Sequence, residues 1–213
     1  MRGNHAGSEQ YASKRMRKKV ALTVPCDFPS FVLNTLTIKA FNEVYYRAQF
    51  GKHVKQVVPY DPFFYPLDAI YHWNRMYGKR GFLQYQCVVP YSNGYEAMKN
   101  VLSCISRSGQ GSFLTVLKKF GDVPSPGMLS FPRPGLTLAL DFAYEGKKTL
   151  QLCEHLDRIV RESGGAVYPA KDARMTAESF QAYYPQWREF EQYKDPQFSS
   201  SFWRRVVPGG KEG

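Results

Sequence analysis

Apolar and polar positions fall into regular patterns from residue 81 onward. Over Phe82–Val89 they alternate, with Leu83, Tyr85, Cys87 and Val89 on one face and Phe82, Gln84, Gln86 and Val88 on the other. A period of two predicts a strand. Tyr95, Met98, Val101, Leu102 and Ile105 recur at helical spacing and predict a helix ending near Gly109, with Asn93 and Glu96 spaced as a capping box. Ser112–Phe120 predicts a second strand and 121–135 a long Pro/Gly loop. In 136–142, Leu136, Leu138, Leu140 and Phe142 alternate with Thr137, Ala139 and Asp141, predicting a third strand. Gly146 opens a helix with Leu150, Cys153, Leu156, Ile159 and Val160 on one face, stopped by Gly164-Gly165. Ala166-Val167-Tyr168 predicts a short last strand.

This β-α-β-β-α-β order predicts an α+β, ferredoxin-like fold: one antiparallel sheet with both helices on one face. The other face is left open and presents Gln84, Gln86, Thr137, Ala139, Asp141 and Lys118. A face of that mixed character suits ligand binding, plain solvation, or cover by residues 20–75. Within that segment, helices are expected at 36–49 and 69–76, separated by the Pro-punctuated, aromatic run 59–68. The aromatics of 175–206 read as short helices packing on the domain edge. The expected organisation is a flexible leader over 1–19, one domain over 20–206 with its core at 81–172, and a flexible tail over 207–213.

Composition narrows the function classes. With 213 residues the chain has room for one or two domains, and 43% hydrophobic with 22% charged residues excludes a disordered chain. The net charge of +11 invites a nucleic-acid reading, but residues 1–58 carry ten basic and three acidic side chains, so the excess is front-loaded. A ferredoxin-like module for RNA or another anionic partner is therefore the alternative reading. Its sequence support, Lys79-Arg80-Gly81-Phe82-Leu83-Gln84-Tyr85, lies on the first strand rather than the third, and Phe82 and Tyr85 have opposite parity. No apolar run is long enough to span a bilayer. The four dispersed cysteines and four dispersed histidines form no metal-ligand pattern, and free thiols point to a cytoplasmic protein. G-x-S-x-G, H-E-x-x-H and Walker loops are absent.

Several strings occur in an order that resembles the C-terminal half of flavin-linked oxidases of the vanillyl-alcohol oxidase superfamily. They are Phe64-Tyr65-Pro66-Leu67-Asp68, Trp73-Asn74-Arg75-x-Tyr77-Gly78, Arg80–Gln86, Lys118-x-Phe120-Gly121, Leu129–Gly135, Tyr168-x-Ala170-Lys171-Asp172 and Asp195-Pro196. The likeness covers about residues 20–206 and is greatest to the branch containing decaprenylphosphoryl-β-D-ribose oxidase and the aldonolactone oxidases.

The resemblance implies an oxidoreductase whose sheet lies over the ring of FAD while a separate domain or subunit binds the dinucleotide. The substrate is then a sugar alcohol, aldonolactone or related CH–OH compound, oxidised by hydride transfer to the flavin. It implies Lys171 as the catalytic cation beside the flavin, Tyr168 as a further cofactor contact, and Gln84, Gln86, Lys118 and Phe64 as substrate-binding residues. Ala139 stands where the polyprenyl-phosphoryl sugar oxidase has a pocket cysteine. A pyrophosphate site needs a glycine-rich turn that opens a helix, whereas Gly109-Gln110-Gly111 precedes a strand. The FAD-binding half is thus expected to be missing, and the chain to be inactive alone.

Overall fold

The computed structural model describes residues 22–29, 32, 34–48, 51, 57, 70–112, 114–171 and 174–208. The leader 1–19, the run 59–68 with Phe64, and Asp172 lie outside them. The chain forms two compact units, 1–81 and 82–213.

In the first unit, β1 (Leu22–Thr23) pairs in parallel with β2 (Ile70–Tyr71). Arg75 Nη1 donates to the carbonyls of Val24 at 3.1 Å and Pro25 at 3.0 Å, holding the two segments together. Helix α1 (Thr35–Arg47) starts at Asn34, whose side chain accepts from Leu36 and Thr37 N–H while Thr37 Oγ1 accepts from Asn34 N–H. This reciprocal cap satisfies donors that a helix start otherwise leaves free. The helix expected at 69–76 is displaced: β2 takes 70–71, and a 3-10 segment runs over Trp73–Arg80, interrupted at Gly78. Gly78 has φ +63°, and a Cβ there would lie 2.4 Å from the Phe28 carbonyl oxygen.

The second unit carries the sheet. Its elements are β3 (Phe82–Val89), α2 (Gly94–Ser108), β4 (Thr115–Phe120), β5 (Gly135–Ala143), α3 (Lys147–Glu162) and β6 (Ala166–Val167). Three short helices follow, α4 (Ala177–Tyr183), α5 (Trp187–Glu191) and α6 (Ser201–Val206). The four strands lie side by side in the order β4-β5-β3-β6, every pair antiparallel. Cross-strand partners share a face. Leu83, Tyr85, Cys87 and Val89 therefore join Phe142, Leu140, Leu138 and Leu136 on one side, and Gln84, Gln86 and Val88 join Asp141, Ala139 and Thr137 on the other.

The apolar side meets α2 and α3. Cys87, Val101, Phe142, Leu156 and Val160 are wholly buried, and Met98, Leu138, Leu140 and Cys153 nearly so. Burial of this kind is the main source of fold stability, at about 25 cal/mol for each Å² of apolar surface. α2 ends on Gly109 in the left-handed region, as its sequence predicts.

Three local expectations are corrected. Asn93 makes no side-chain cap: its backbone is not extended, and its Nδ2 donates instead to the Ser163 carbonyl at the end of α3, at 3.2 Å. Tyr95 and Leu102 point to solvent, and Ala97 takes their place in the buried stripe. The aromatics after residue 175 are not peripheral, because Phe180, Tyr183 and Tyr184 are almost fully buried and belong to the main core.

Candidate functional site

The polar side of the sheet is built by strand parity. β3 presents Gln84 and Gln86, β5 presents Thr137, Ala139 and Asp141, and β4 presents Val116, Lys118 and Phe120. The chain then leaves β6 through Tyr168, whose N–H donates to the Gln86 carbonyl at 2.8 Å, and tightens into the 3-10 turn Pro169–Lys171. That turn brings Lys171 back over β3, where its Nζ donates to Gln84 Oε1 at 2.7 Å. Gln86 Nε2 donates to Thr137 Oγ1 at 3.3 Å.

Asp141, paired with Gln84 in register, is buried at 2% exposure, as is Thr137 at 1%. Burial pushes its carboxyl above the usual carboxylate range, opposed by a hydrogen bond from the Gln84 side chain and by the charge of Lys171.

One end of the face is closed by the loop 121–134. Phe131, 3% exposed, stacks on Tyr168 with ring centres 4.7 Å apart and meets Phe120 edge-on at 5.9 Å. Arg133 ties the loop down by donating to the Tyr183 carbonyl at 3.2 Å and lying over the Tyr184 ring.

Behind Lys171, on the helix side of β3, lies a buried polar group. Asp157 of α3 accepts from Tyr85 Oη at 3.0 Å and pairs with Arg174 Nη1 at 2.9 Å. Gln84, Lys171, Asp157 and Arg174 border a cavity of ≈ 20 Å³, enough for about one water. Tyr85, turned towards Asp157, cannot share a ligand-stacking surface with Phe82, and the RNA-module reading loses its aromatic pair.

The residues expected from sequence separate into two sets. Lys171, Gln84, Gln86 and Tyr168 come together. Lys118 is exposed and pairs with Thr137, four residues along β5 from Asp141, which is roughly 13 Å at strand rise. Phe64 lies outside the described residues. Asp157 and Arg174 are found only in the structure, as is the place of Phe131, from the family-like string 129–135, against Tyr168. Asp157 carried a signal, since an acid stands four residues after Cys153 on an otherwise apolar stripe. Among the described residues no cluster of three His, Cys, Asp or Glu is arranged to hold a metal ion, and no helix is long and apolar enough to cross a membrane.

Comparison with known proteins gives the class: the chain is a relative of the FAD-linked oxidase branch that includes decaprenylphosphoryl-β-D-ribose oxidase. That enzyme from Mycolicibacterium smegmatis is 38% identical over 216 residues, covering 96% of this chain and 46% of the enzyme. An uncharacterized protein of Streptomyces coelicolor is 33% identical over 132 residues, covering 59% of this chain and 35% of that protein. The chain thus spans less than half the length of either relative. No family model matches it.

Proposed function

We propose that this chain is the substrate-binding, C-terminal domain of an FAD-dependent oxidoreductase acting on a sugar alcohol, aldonolactone or related CH–OH group. The single observation that carries the reading is Lys171 held on Gln84 at 2.7 Å over the polar side of the sheet, in a chain 38% identical to a flavin-linked oxidase. In this reading the sheet is ferredoxin-like, which the β4-β5-β3-β6 order and the helix cover of one side support.

The site residues suit the ring end of a flavin. Lys171 offers a cation where negative charge gathers, and such preorganised charge is the strongest form of electrostatic assistance. Tyr168, stacked on Phe131, offers an aromatic edge beside it. When bound, the flavin supplies the hydride acceptor. Lys171 holds a proton at Nζ and stabilises developing negative charge. Gln86, half-buried and steadied by Thr137 Oγ1, offers its amide to substrate hydroxyls. Lys118, farther along the face, suits a phosphoryl or hydroxyl oxygen at the distal end of a longer substrate. The phosphate end of the dinucleotide has no matching cradle in Gly109-Gln110-Gly111, because Gly109, with φ +69°, closes α2 instead of opening a helix. An FAD-binding partner domain is therefore part of the proposal, as is inactivity of the chain by itself. A cytoplasmic location belongs to the same reading.

The test is a chimera in which this chain replaces the matching region, 46% of the Mycolicibacterium relative. Bleaching of the flavin absorbance on adding a CH–OH substrate is the expected result. A chimera that folds and holds FAD, yet bleaches with no alcohol, sugar or lactone, overturns the proposal.

A further inference from the structure

Arg133 belongs to a run that its sequence stiffens. Phe131 precedes Pro132, and Arg133 precedes Pro134. A residue before proline is driven towards extended backbone, and extended chain turns residues two apart to the same side. Phe131 meets the Tyr168 ring, with centres 4.7 Å apart and planes at 25°, and Arg133 lies over the Tyr184 ring at 5.4 Å from its centre.

The Arg133 guanidinium gives its donors to backbone. Nη1 donates to the Tyr183 carbonyl at 3.2 Å, Nη2 to the Ser130 carbonyl at 3.3 Å and Nε to the Phe131 carbonyl at 3.4 Å. Among the described residues no carboxylate pairs with it. A planar fork can reach carbonyls of two separate segments while stacking on a ring, which a compact ammonium cannot. The ring beneath it carries the contact onward. Tyr184, almost fully buried, donates from Oη to the Val167 carbonyl at 2.8 Å, and the N–H of the same peptide, that of Tyr168, donates to the Gln86 carbonyl at 2.8 Å. The peptide that enters Tyr168 is thus bonded at both of its polar atoms.

Resting on the reading of Tyr168 as a contact of the flavin, we propose that Arg133 is its positioning residue. It acts from two sides: through Phe131, which it holds against the Tyr168 ring, and through Tyr184, which holds the peptide behind that ring. One guanidinium therefore sets both supports of the closed end of the face. Arg133 itself meets neither cofactor nor substrate in this role, and its fork geometry matters more than its charge.

The experiment is NMR of the full chain, following the Tyr168 ring signals and the Phe131–Tyr168 cross-peaks in Arg133→Lys, which keeps the charge, and Arg133→Met, which keeps the stem. In both variants the Tyr168 ring signals are expected to shift and the cross-peaks to weaken, while the signals of β3, β5, α2 and α3 stay in place. In the chimera, Arg133→Lys is expected to move the visible flavin band and to lower kcat about tenfold with KM unchanged, a split that loss of fold alone does not give. Tyr168 signals that stay in place in either variant overturn the proposal. So does loss of the strand signals in both, because Arg133 would then serve the whole core. The ring signals are independent of flavin chemistry: a displaced Tyr168 with an unaltered flavin band would sink the reading of Tyr168 as a cofactor contact and leave the role of Arg133 standing.

Discussion

The Tyr85 hydroxyl donates to Asp157 Oδ1 at 3.0 Å, fastening the strand that carries Gln84 to the helix beneath it. The second oxygen of Asp157 receives Arg174, which follows Lys171 by three residues. One carboxylate therefore grips β3, α3 and the segment behind the Lys171 turn.

Removing one member of this pair leaves the other buried without its counter-charge. Arg174→Met or Asp157→Leu alone is expected to cost about 3–5 kcal/mol, and the double variant less than either single one. Urea unfolding of all three measures it. Additive losses would mean that the two side chains are not coupled.

Lys171→Ala in the chimera is expected to lower kcat about 100-fold, by analogy with loss of a preorganised charge-stabilising group. Lys171→Arg keeps the charge and should recover part of the rate. Stopped-flow flavin reduction measures both. An unaltered rate in Lys171→Ala would remove the residue from the chemistry.

Phe131 joins the loop to the sheet. Phe131→Ala is expected to destabilise the chain by about 3 kcal/mol. It should also increase proteolysis within 121–134, because Phe131 fills the space between Tyr168 and Phe120. A thermal melt together with mapped protease cuts tests this. A full-size melting shift without new cuts in the loop would show that Phe131 acts only through the core.

Alkaline pH should weaken the fold well before the buried groups ionise. Burial pushes the Cys87 thiol from 9.0 up to about 12 and holds Tyr85 well above its ordinary 10.0. The unfolded chain gives up these protons first, so above about pH 9 it binds fewer than the native state and stability falls as pH rises. Each such group contributes about 1.4 kcal/mol per pH unit between its unfolded and folded values. Urea midpoints at pH 8, 9 and 10 show the slope, and Cys87→Ala should reduce it. An equal slope in that variant would exclude Cys87 as a source.

Gly135 lets β5 approach β3: a Cβ there would lie 2.2 Å from the Val89 carbonyl oxygen. Gly135→Ala should cost about 3 kcal/mol or more through strand displacement. Amide exchange along β3 and β5 would report it, and unaltered protection would show that the sheet absorbs the methyl group.

Alternation made both faces of β3 and β5 readable, because a two-residue period leaves no choice about which side chains share a side. Helical spacing likewise marked α2 and α3. The 3-10 segment at 73–80 was misread as an earlier helix, since its shape depends on Gly78 and on a long-range clasp by Arg75 that no local pattern encodes. Lys171, Gln84 and Tyr168 were legible as a motif and a strand face. That Gln84 would lie opposite Asp141 was not, because register joins residues 57 positions apart only after β3 and β5 pair. Phe131 and Arg133 stood within the family-like string 129–135, but their partners on the sheet and in the core are set by long-range contacts that no local pattern encodes.

The grip of Asp157 on three elements has a genetic consequence. If the chain acts as proposed, a screen for chimeras that lose activity is expected to recover substitutions at Asp157, Tyr85 and Arg174 alongside those at Lys171, although none of the three needs to meet a ligand. The two groups will part company on cooling: growth at low temperature should rescue the first group, whose defect is a loosened framework, and leave the second unrescued.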